Sequence, residues 1–419
     1  MEVYARSGDR QKDLNLIGKV LSSGHKSIIE HQTFSVAFND VSVMVEQFVI
    51  EFRLASFTVK SRRYVDFSKA GYVQPGQVKN VQAYSARMEA LFRAYQGLLE
   101  IGIPKEDARF LLPYSLRSNF FMTVDARELI HMICAMLSGR GARFEELRCL
   151  GNQLKEQFDA LYPGVIDTEI NHYEQEALEL LPNNPRLGSA VQAGVALIDR
   201  PMDAESLLEK SMAFSGRFES RHGRYLNDDS IRRLLNDPRP RELELLNYTF
   251  HIRNVSLACV THFTRHRIQS PLIPSVIRAL CGGSYVLPES VAANPQAEKL
   301  YRRTFEEQTA AAQEMLDSGA PVELLAYYAM SGHVLDLMLG MNARELLHFA
   351  KLRTCARAQW EIRGVAREML AQVCEISPTI FKYYGPSCAV TGRCPEGRMS
   401  CGHPVRIVDG QWQQTSPLN

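Results

Sequence analysis

The sequence predicts an α+β protein built from two tandem copies of one module, each a small antiparallel sheet with long helices. Three repeated segments carry this expectation. Asp125-Ala126-Arg127-Glu128-Leu129-Ile130-His131 returns 217 positions later as Asn342-Ala343-Arg344-Glu345-Leu346-Leu347-His348. Val41-Ser42 returns after 214 positions as Val255-Ser256, and Gly71-Tyr72-Val73-Gln74-Pro75 after 213 as Ser284-Tyr285-Val286-Leu287-Pro288. A near-constant offset across separated segments marks a duplication.

The elements follow in the same order in each copy. Phe34, Val36 and Phe38 alternate with Ser35 and Ala37, as in a strand with one buried face, and Tyr248, Phe250 and Ile252 repeat the pattern. Each strand ends in a polar turn, Asn39-Asp40 or Arg253-Asn254, and then enters a helical stretch, 42–53 or 256–267, with Ser42 or Ser256 as N-cap. Apolar residues at three- and four-residue spacing predict helix over Asp125–Leu147 and Asn342–Leu370. The join spans about Tyr162–Leu187, where Pro163, Gly164, Pro182 and Pro185 flank an acidic helical piece, Glu169–Leu181. The expected division is therefore 1–175, 176–384 and a Cys-rich tail at 385–419.

A 419-residue chain with 45% hydrophobic and 23% charged residues can bury two ordinary cores. A net charge of +1 argues against a general nucleic-acid partner. Met1–Lys19 is polar rather than signal-like, and no apolar run reaches the ~18–20 residues of a membrane span. A cytoplasmic location with no membrane partner is expected. The nine Cys are then expected to be reduced or metal-bound rather than a disulfide framework.

The most charged motif is Arg265-His266-Arg267, followed after seven residues by Ser275. Two guanidiniums around an imidazole suit a phosphate or another anion, although a basic helix end can also be simply solvated. The first copy has Glu51-Phe52-Arg53 there, but its following loop, Ser61-Arg62-Arg63-Tyr64, is basic where the second copy has Ser275-Val276-Ile277. The positive charge is divided between the copies. Glycine-rich dinucleotide and Walker motifs are absent, so Rossmann and P-loop readings have no support.

These motifs together resemble the flavin-dependent thymidylate synthases. Arg265-His266-Arg267 with Ser275 matches the family signature, and Gly24-His25-Lys26-Ser27-Ile28-Ile29-Glu30-His31 resembles its Gly-His-x-x-x-x-Glu-His segment. Ser61-Arg62-Arg63-Tyr64 resembles its Ser-x-Arg-Tyr loop; Asn342-Ala343-Arg344 and Ala358-Gln359-Trp360-Glu361-Ile362-Arg363 resemble its C-terminal helical motifs. The resemblance implies a homotetrameric ancestor with flavin and deoxyuridylate sites between subunits. It implies flavin contacts from Arg265, His266, Arg267, Asn342, Arg344, His348, Ser27 and Glu30, with His348 also read as a helix-packing residue like His131. It implies nucleotide contacts from Ser61, Arg62, Arg63, Arg109, His262, Arg265 and Arg353, and catalytic roles for Arg353, Arg109 and His25. Arginine stays protonated and can stabilise charge developing on the pyrimidine without acting as a base.

The activity implied is methyl transfer to carbon 5 of dUMP at a site composed from both modules. FAD is the implied cofactor, and methylenetetrahydrofolate and NADPH the co-substrates; reduced flavin delivers hydride, so Ser61 reads as a phosphate ligand rather than a nucleophile. The implied assembly is a homodimer of the tandem chain, with four modules. Each copy lacks what the other keeps. Met136 and Asp125 stand opposite Arg353 and Asn342, while Arg239, Ile277 and Ala326 stand opposite His25, Arg63 and Arg109. One composite site retained and its mirror abandoned is the reading this favours. His262 and Val59, where the family has Gln and Glu, keep open a flavoenzyme with a different nucleotide or one-carbon product, or a silent flavin- or nucleotide-binding paralogue.

In the tail, Cys388, Cys394, Cys401 and His403 are candidates for a structural zinc site, with a redox pair or reduced structural thiols as the alternatives.

Overall fold

In the computed structural model, which describes residues 10–408 and 411–414, the chain forms two compact units. The first nine residues of the polar N-terminal stretch lie outside the described residues. One unit holds residues 1–188, 275–283 and 288–333; the other holds 189–274, 284–287 and 334–419. Among the described residues no helix is long and apolar enough to cross a membrane.

The first unit is organised on a three-stranded antiparallel sheet. Strand Arg117–Asp125 is central, flanked by Thr33–Ser42 and Ala55–Val59. The alternation in the first strand puts Phe38 in the core, stacked on Phe120 at 4.6 Å, with Phe34 and Val36 half-buried. A bulge between Phe38 and Val41 lets the chain turn: Asp40 adopts φ 53° and donates its N–H to Asn119 Oδ1. Helix Val43–Ile50 follows, its N-terminus capped by Ser42 Oγ, which accepts from Val45 N–H. Ser42 N–H and Oγ–H both donate to the half-buried Glu146 carboxylate.

The second unit repeats this construction in a four-stranded sheet, in the order Gly194–Asp199, Asn247–Ser256, Val334–Asn342 and Ser270–Leu272. Tyr248, Phe250 and Ile252 are all buried, as the alternation requires. The bulge recurs between Ile252 and Val255, with Asn254 at φ 55° donating N–H to Asp336 Oδ1. Ser256 caps helix Leu257–Phe263 and donates to the buried Glu361. The duplication read from the offsets thus extends to the same bulge, the same cap and the same carboxylate partner for the cap.

Sequence copies and compact units divide the chain differently. The sequence copies span 1–175 and 176–384, whereas by compactness residues 275–283 and 288–333 pack in the first unit and the described part of the 385–419 tail in the second. The reason is visible in the two long helices. Val81–Glu100 buries Tyr84, Met88, Leu91, Tyr95 and Leu98; Pro295–Asp317 buries Ala297, Tyr301, Phe305 and Ala312. They lie side by side, and Arg87 donates to Gln308 Oε1 at 2.7 Å, to Glu307 at 2.9 Å and to the Thr304 carbonyl at 2.9 Å.

Three local expectations need correction. The stretch 256–267 is helical only over Leu257–Phe263, so Arg265-His266-Arg267 lies in the turn after the helix. Each long helix expected over 125–147 and 342–370 is two: Ala126–Leu137 with Glu145–Asp159, and Ala343–Arg353 with Trp360–Ile376. Gln359 starts the last of these by accepting N–H bonds from Glu361 and Ile362 at 3.1 Å.

The acidic piece 169–181 is helical only at its beginning, and residues 176–188 have no regular secondary structure. Pro182 and Pro185 cannot donate to a helical ladder, and arginines take the carbonyls instead. Arg143 donates to Glu179 O at 2.7 Å and Arg278 to Leu180 O at 3.1 Å, while the Glu179 carboxylate accepts from Ser275 N and pairs with Arg278. Gly283 holds this segment in place. It sits at φ +70°, and a Cβ there would lie 1.6 Å from the Arg186 carbonyl oxygen. Gly283→Ala is expected to cost more than about 3 kcal/mol, combining backbone strain with displacement of a fixed loop, and to show as a lowered urea midpoint. An unchanged midpoint would show that the loop yields freely.

Candidate functional site

In the second unit the site is built from the turn after helix Leu257–Phe263 and one face of helix Ala343–Arg353. Positions 345, 348, 349 and 353 of that helix recur at three- and four-residue spacing and so line up toward the turn. His266 is 2% exposed, whereas Arg265 and Arg267 on either side are exposed. The buried ring is held on both nitrogens: Nδ1 lies 2.9 Å from Glu345 Oε1, and Nε2 accepts from Arg353 Nε–H at 3.0 Å. Phe349 packs against it at 4.9 Å and His348 at 5.5 Å.

This arrangement fixes the tautomer. Arg353 can only donate, so Nε2 must carry a lone pair and Nδ1 the proton given to Glu345. Burial holds the His266 pKa below the ordinary histidine value, and Arg353 acts in the same direction, against the Glu345 bond. A neutral imidazole therefore aims a guanidinium. Arg353 also donates to the His262 carbonyl at 3.2 Å, which fixes its plane. Among the described residues, His266, Glu345 and His348 are the one group of three potential metal ligands within 4.8 Å of one another. With both His266 nitrogens engaged, the group reads as a positioning relay rather than a metal site.

Asn342 and Arg344 serve the same helix. Asn342 Oδ1 caps it by accepting Glu345 N–H at 2.9 Å, and Arg344 pairs with Glu244. The first unit has the counterparts: Asp125 caps through Glu128 N–H, and Arg127 pairs with Glu30 at 2.5 Å. Glu30 thus meets an arginine of its own unit. His25 and Ser27, from the same segment, are exposed around the short turn of helix Lys26–His31.

The first unit also assembles the basic loop. Arg62 pairs with Glu46 at 2.9 Å, and Glu46 is buried and accepts Ser118 Oγ–H. Ser61 Oγ accepts from Arg63 N–H at 3.3 Å, and the Arg63 side chain pairs with Glu106 and lies 5.1 Å from the Tyr64 ring. Arg109, 4% exposed, donates Nε–H to the Glu106 carbonyl at 3.1 Å. Glu106 therefore gathers Arg63 through its carboxylate and Arg109 through its backbone. The structure brings Ser61, Arg62, Arg63 and Arg109 together in this unit, and His262, Arg265, His266, Arg267, Asn342, Arg344, His348 and Arg353 together in the other.

The residues that sequence reasoning missed are the acids. Glu46 had a signal, since it is the lone carboxylate in the apolar helix Val-Met-Val-Glu-Gln-Phe-Val-Ile. Glu345 belonged to the repeated segment, and Glu106 carried no local signal.

In the tail, His403 lies beside the last described strand. Its Nδ1 lies 3.0 Å from Gln414 Nε2, and it lines a cavity of about 890 Å³ together with Arg367, Tyr384, Val405, Gln411 and Trp412. Cys388, Cys394 and Cys401 line a different cavity, and the fourth sulfur there is that of Cys355.

The family model described as thymidylate synthase complementing protein matches this chain twice, over residues 2–164 and 196–379. A flavin-dependent thymidylate synthase of Geobacter sulfurreducens is 38% identical over 168 residues, which span 39% of this chain and 72% of that protein. One of Saccharolobus solfataricus is 32% identical over 205 residues, spanning 47% of this chain and 78% of its own. Among solved structures, the UMP/dUMP methylase PolB of Streptomyces cacaoi is similar over 47% of this chain and 96% of its own, at 21% identity and a TM-score of 0.40.

Proposed function

The chain belongs to the thymidylate synthase complementing protein family, represented twice in tandem, and on that premise we propose that it is a flavoenzyme converting dUMP to dTMP. Methylenetetrahydrofolate is the one-carbon donor and NADPH the reductant, and two tandem chains pair to give four modules. One composite site draws on both copies: the basic loop of the module at 1–175 and the Arg-His-Arg turn of the module at 176–384.

The observation that carries this reading is the state of the two retained sets. Each is a finished construction within its own unit, Arg63 and Arg109 held by the Glu106 carboxylate and carbonyl and Arg353 by His266, which bonds Glu345, although the opposite copy has lost the corresponding residues. Arg265 and Arg267, exposed on either side of buried His266, suit the diphosphate of FAD. Bound FAD would supply the hydride and the one-carbon relay.

The chain's own residues bind and polarise. Ser61, Arg62 and Arg63 take the nucleotide phosphate; Arg109 and Arg353 face the base carbonyls, where negative charge develops on the pyrimidine. Ser27 and Glu30 would help hold the flavin, with His25 in a catalytic role beside them. His266 acts through Arg353, so that a permanent cation has one orientation. His262 and Val59 favour a second reading, in which the same flavin chemistry serves another pyrimidine nucleotide.

The test is the visible spectrum of the pure chain followed by anaerobic single turnover with dUMP, UMP and dCMP. About one FAD per chain and methylation of dUMP are expected. Methylation of UMP or dCMP alone would select the second reading. Failure to hold flavin after reconstitution would sink both.

A further inference from the structure

We propose that Cys355, Cys388, Cys394 and Cys401 form a tetrahedral structural zinc site that ties the C-terminal tail to the turn between helices Ala343–Arg353 and Trp360–Ile376. The four cysteines line one cavity of about 30 Å³, and none is in a disulfide. Four sulfur ligands at about 2.3 Å are a standard closed set for Zn²⁺.

Two backbone N–H groups are directed at sulfurs of this set. His403 N–H donates to Cys401 Sγ at 3.4 Å, and Arg357 N–H to Cys355 Sγ. Both bonds run from the residue two positions after the cysteine. At Cys401 the geometry depends on Gly402, whose φ of 76° turns the chain back over the sulfur. Such N–H donors orient a thiolate and offset its charge. Lys351 and Arg357 line the same cavity, opposed by Glu396, and so leave a net positive surround for a Zn(Cys)₄ centre of charge −2.

The tail also requires an anchor. Between Thr391 and His403 no residue is buried, so apolar packing contributes little against the cost of ordering those residues, about 1–2 kcal/mol each. Ser387 Oγ–H donates to Lys351 O at 3.3 Å, which seats the start of the tail beside the turn that carries Cys355. No three of the sulfurs lie within 4.8 Å of one another, so binding draws them inward. Three of the four sit on the short segment 388–401, whose exposed turns can follow. His403, turned to Gln414, has no part in the set.

Full-length chain prepared without chelators or a histidine tag should contain about one zinc by plasma mass spectrometry. His403→Ala should keep it, and Cys355→Ser should lose it. The cobalt-substituted wild type should show thiolate-to-cobalt charge transfer that His403→Ala leaves unchanged. Because Cys355→Ser can fail to fold, the wild-type chain supplies a second measurement: stepwise mercurial titration should release zinc with the modification of four thiols. Less than about a tenth of an equivalent of zinc in the wild type would overturn the proposal. So would loss of zinc in His403→Ala with retention in Cys355→Ser, or zinc release uncoupled from thiol modification.

Discussion

Alanine at Arg353 and alanine at Arg63 should each lower turnover of dUMP by roughly 10²–10³-fold, the usual cost of removing one preorganised donor from a developing charge. The double variant should be little worse than either single one, because the two residues act on one site. That pattern separates a composite site from two independent ones. If each copy had its own working site, each single substitution would leave about half the activity and only the double would abolish it. Arg353 is held by His266 and by the His262 carbonyl, and Arg63 by Glu106. Truncating either arginine releases its partner but leaves the sheet and the helix caps untouched, so folded protein is expected in both cases. Mixing the two variants under conditions that exchange subunits then locates the site. Recovery of about a quarter of wild-type activity is the statistical yield if the loop of one chain serves the turn of another; no recovery means that both halves come from one chain.

Much of this construction was legible in the sequence because it is local. The alternation at Tyr248, Phe250 and Ile252 and the capping residues Ser42 and Ser256 are set by neighbours within a few positions. The repeat was legible as offsets, and the shift from 214 to 217 between its first and last segments only records different connection lengths. The partners across the fold were not legible. Nothing near Ser42 announces Glu146, 104 positions away, and nothing in the tail announces Cys355. His266 shows the limit most clearly. Composition reads it as one of three adjacent basic groups, but burial between Glu345 and Phe349 makes it a neutral support for Arg353. The acidic join misled for the opposite reason: its composition favours helix, while two prolines and the arginines of other segments claim its backbone.

Acidification from pH 6.5 to 5 should destabilise the first unit by about 2 kcal/mol through His333 alone. His333 is fully buried; its Nδ1 accepts from Met330 N–H at 2.9 Å, and Phe305 packs edge-on at 4.9 Å. Among the described residues its Nε2 has no hydrogen-bond partner. Burial lowers its pKa to about 3, with the Met330 bond opposing. Between that value and the ordinary histidine pKa near ~6.5, the unfolded chain binds a proton that the folded chain refuses. Stability therefore rises with pH across this window, by about 1.4 kcal/mol per unit, and is insensitive to this residue above it. The direction is opposite to that of a histidine stabilised by an acidic partner. His266 is shifted the same way and adds to the slope in the second unit. His333→Asn keeps an acceptor for Met330 N–H but cannot titrate. At pH 7 it should be the weaker protein, because the ring against Phe305 is lost. Its urea midpoint should nevertheless change less than that of the wild type between pH 6.5 and 5. Equal acid sensitivity in the two proteins would show that His333 takes up its proton in the folded state without cost.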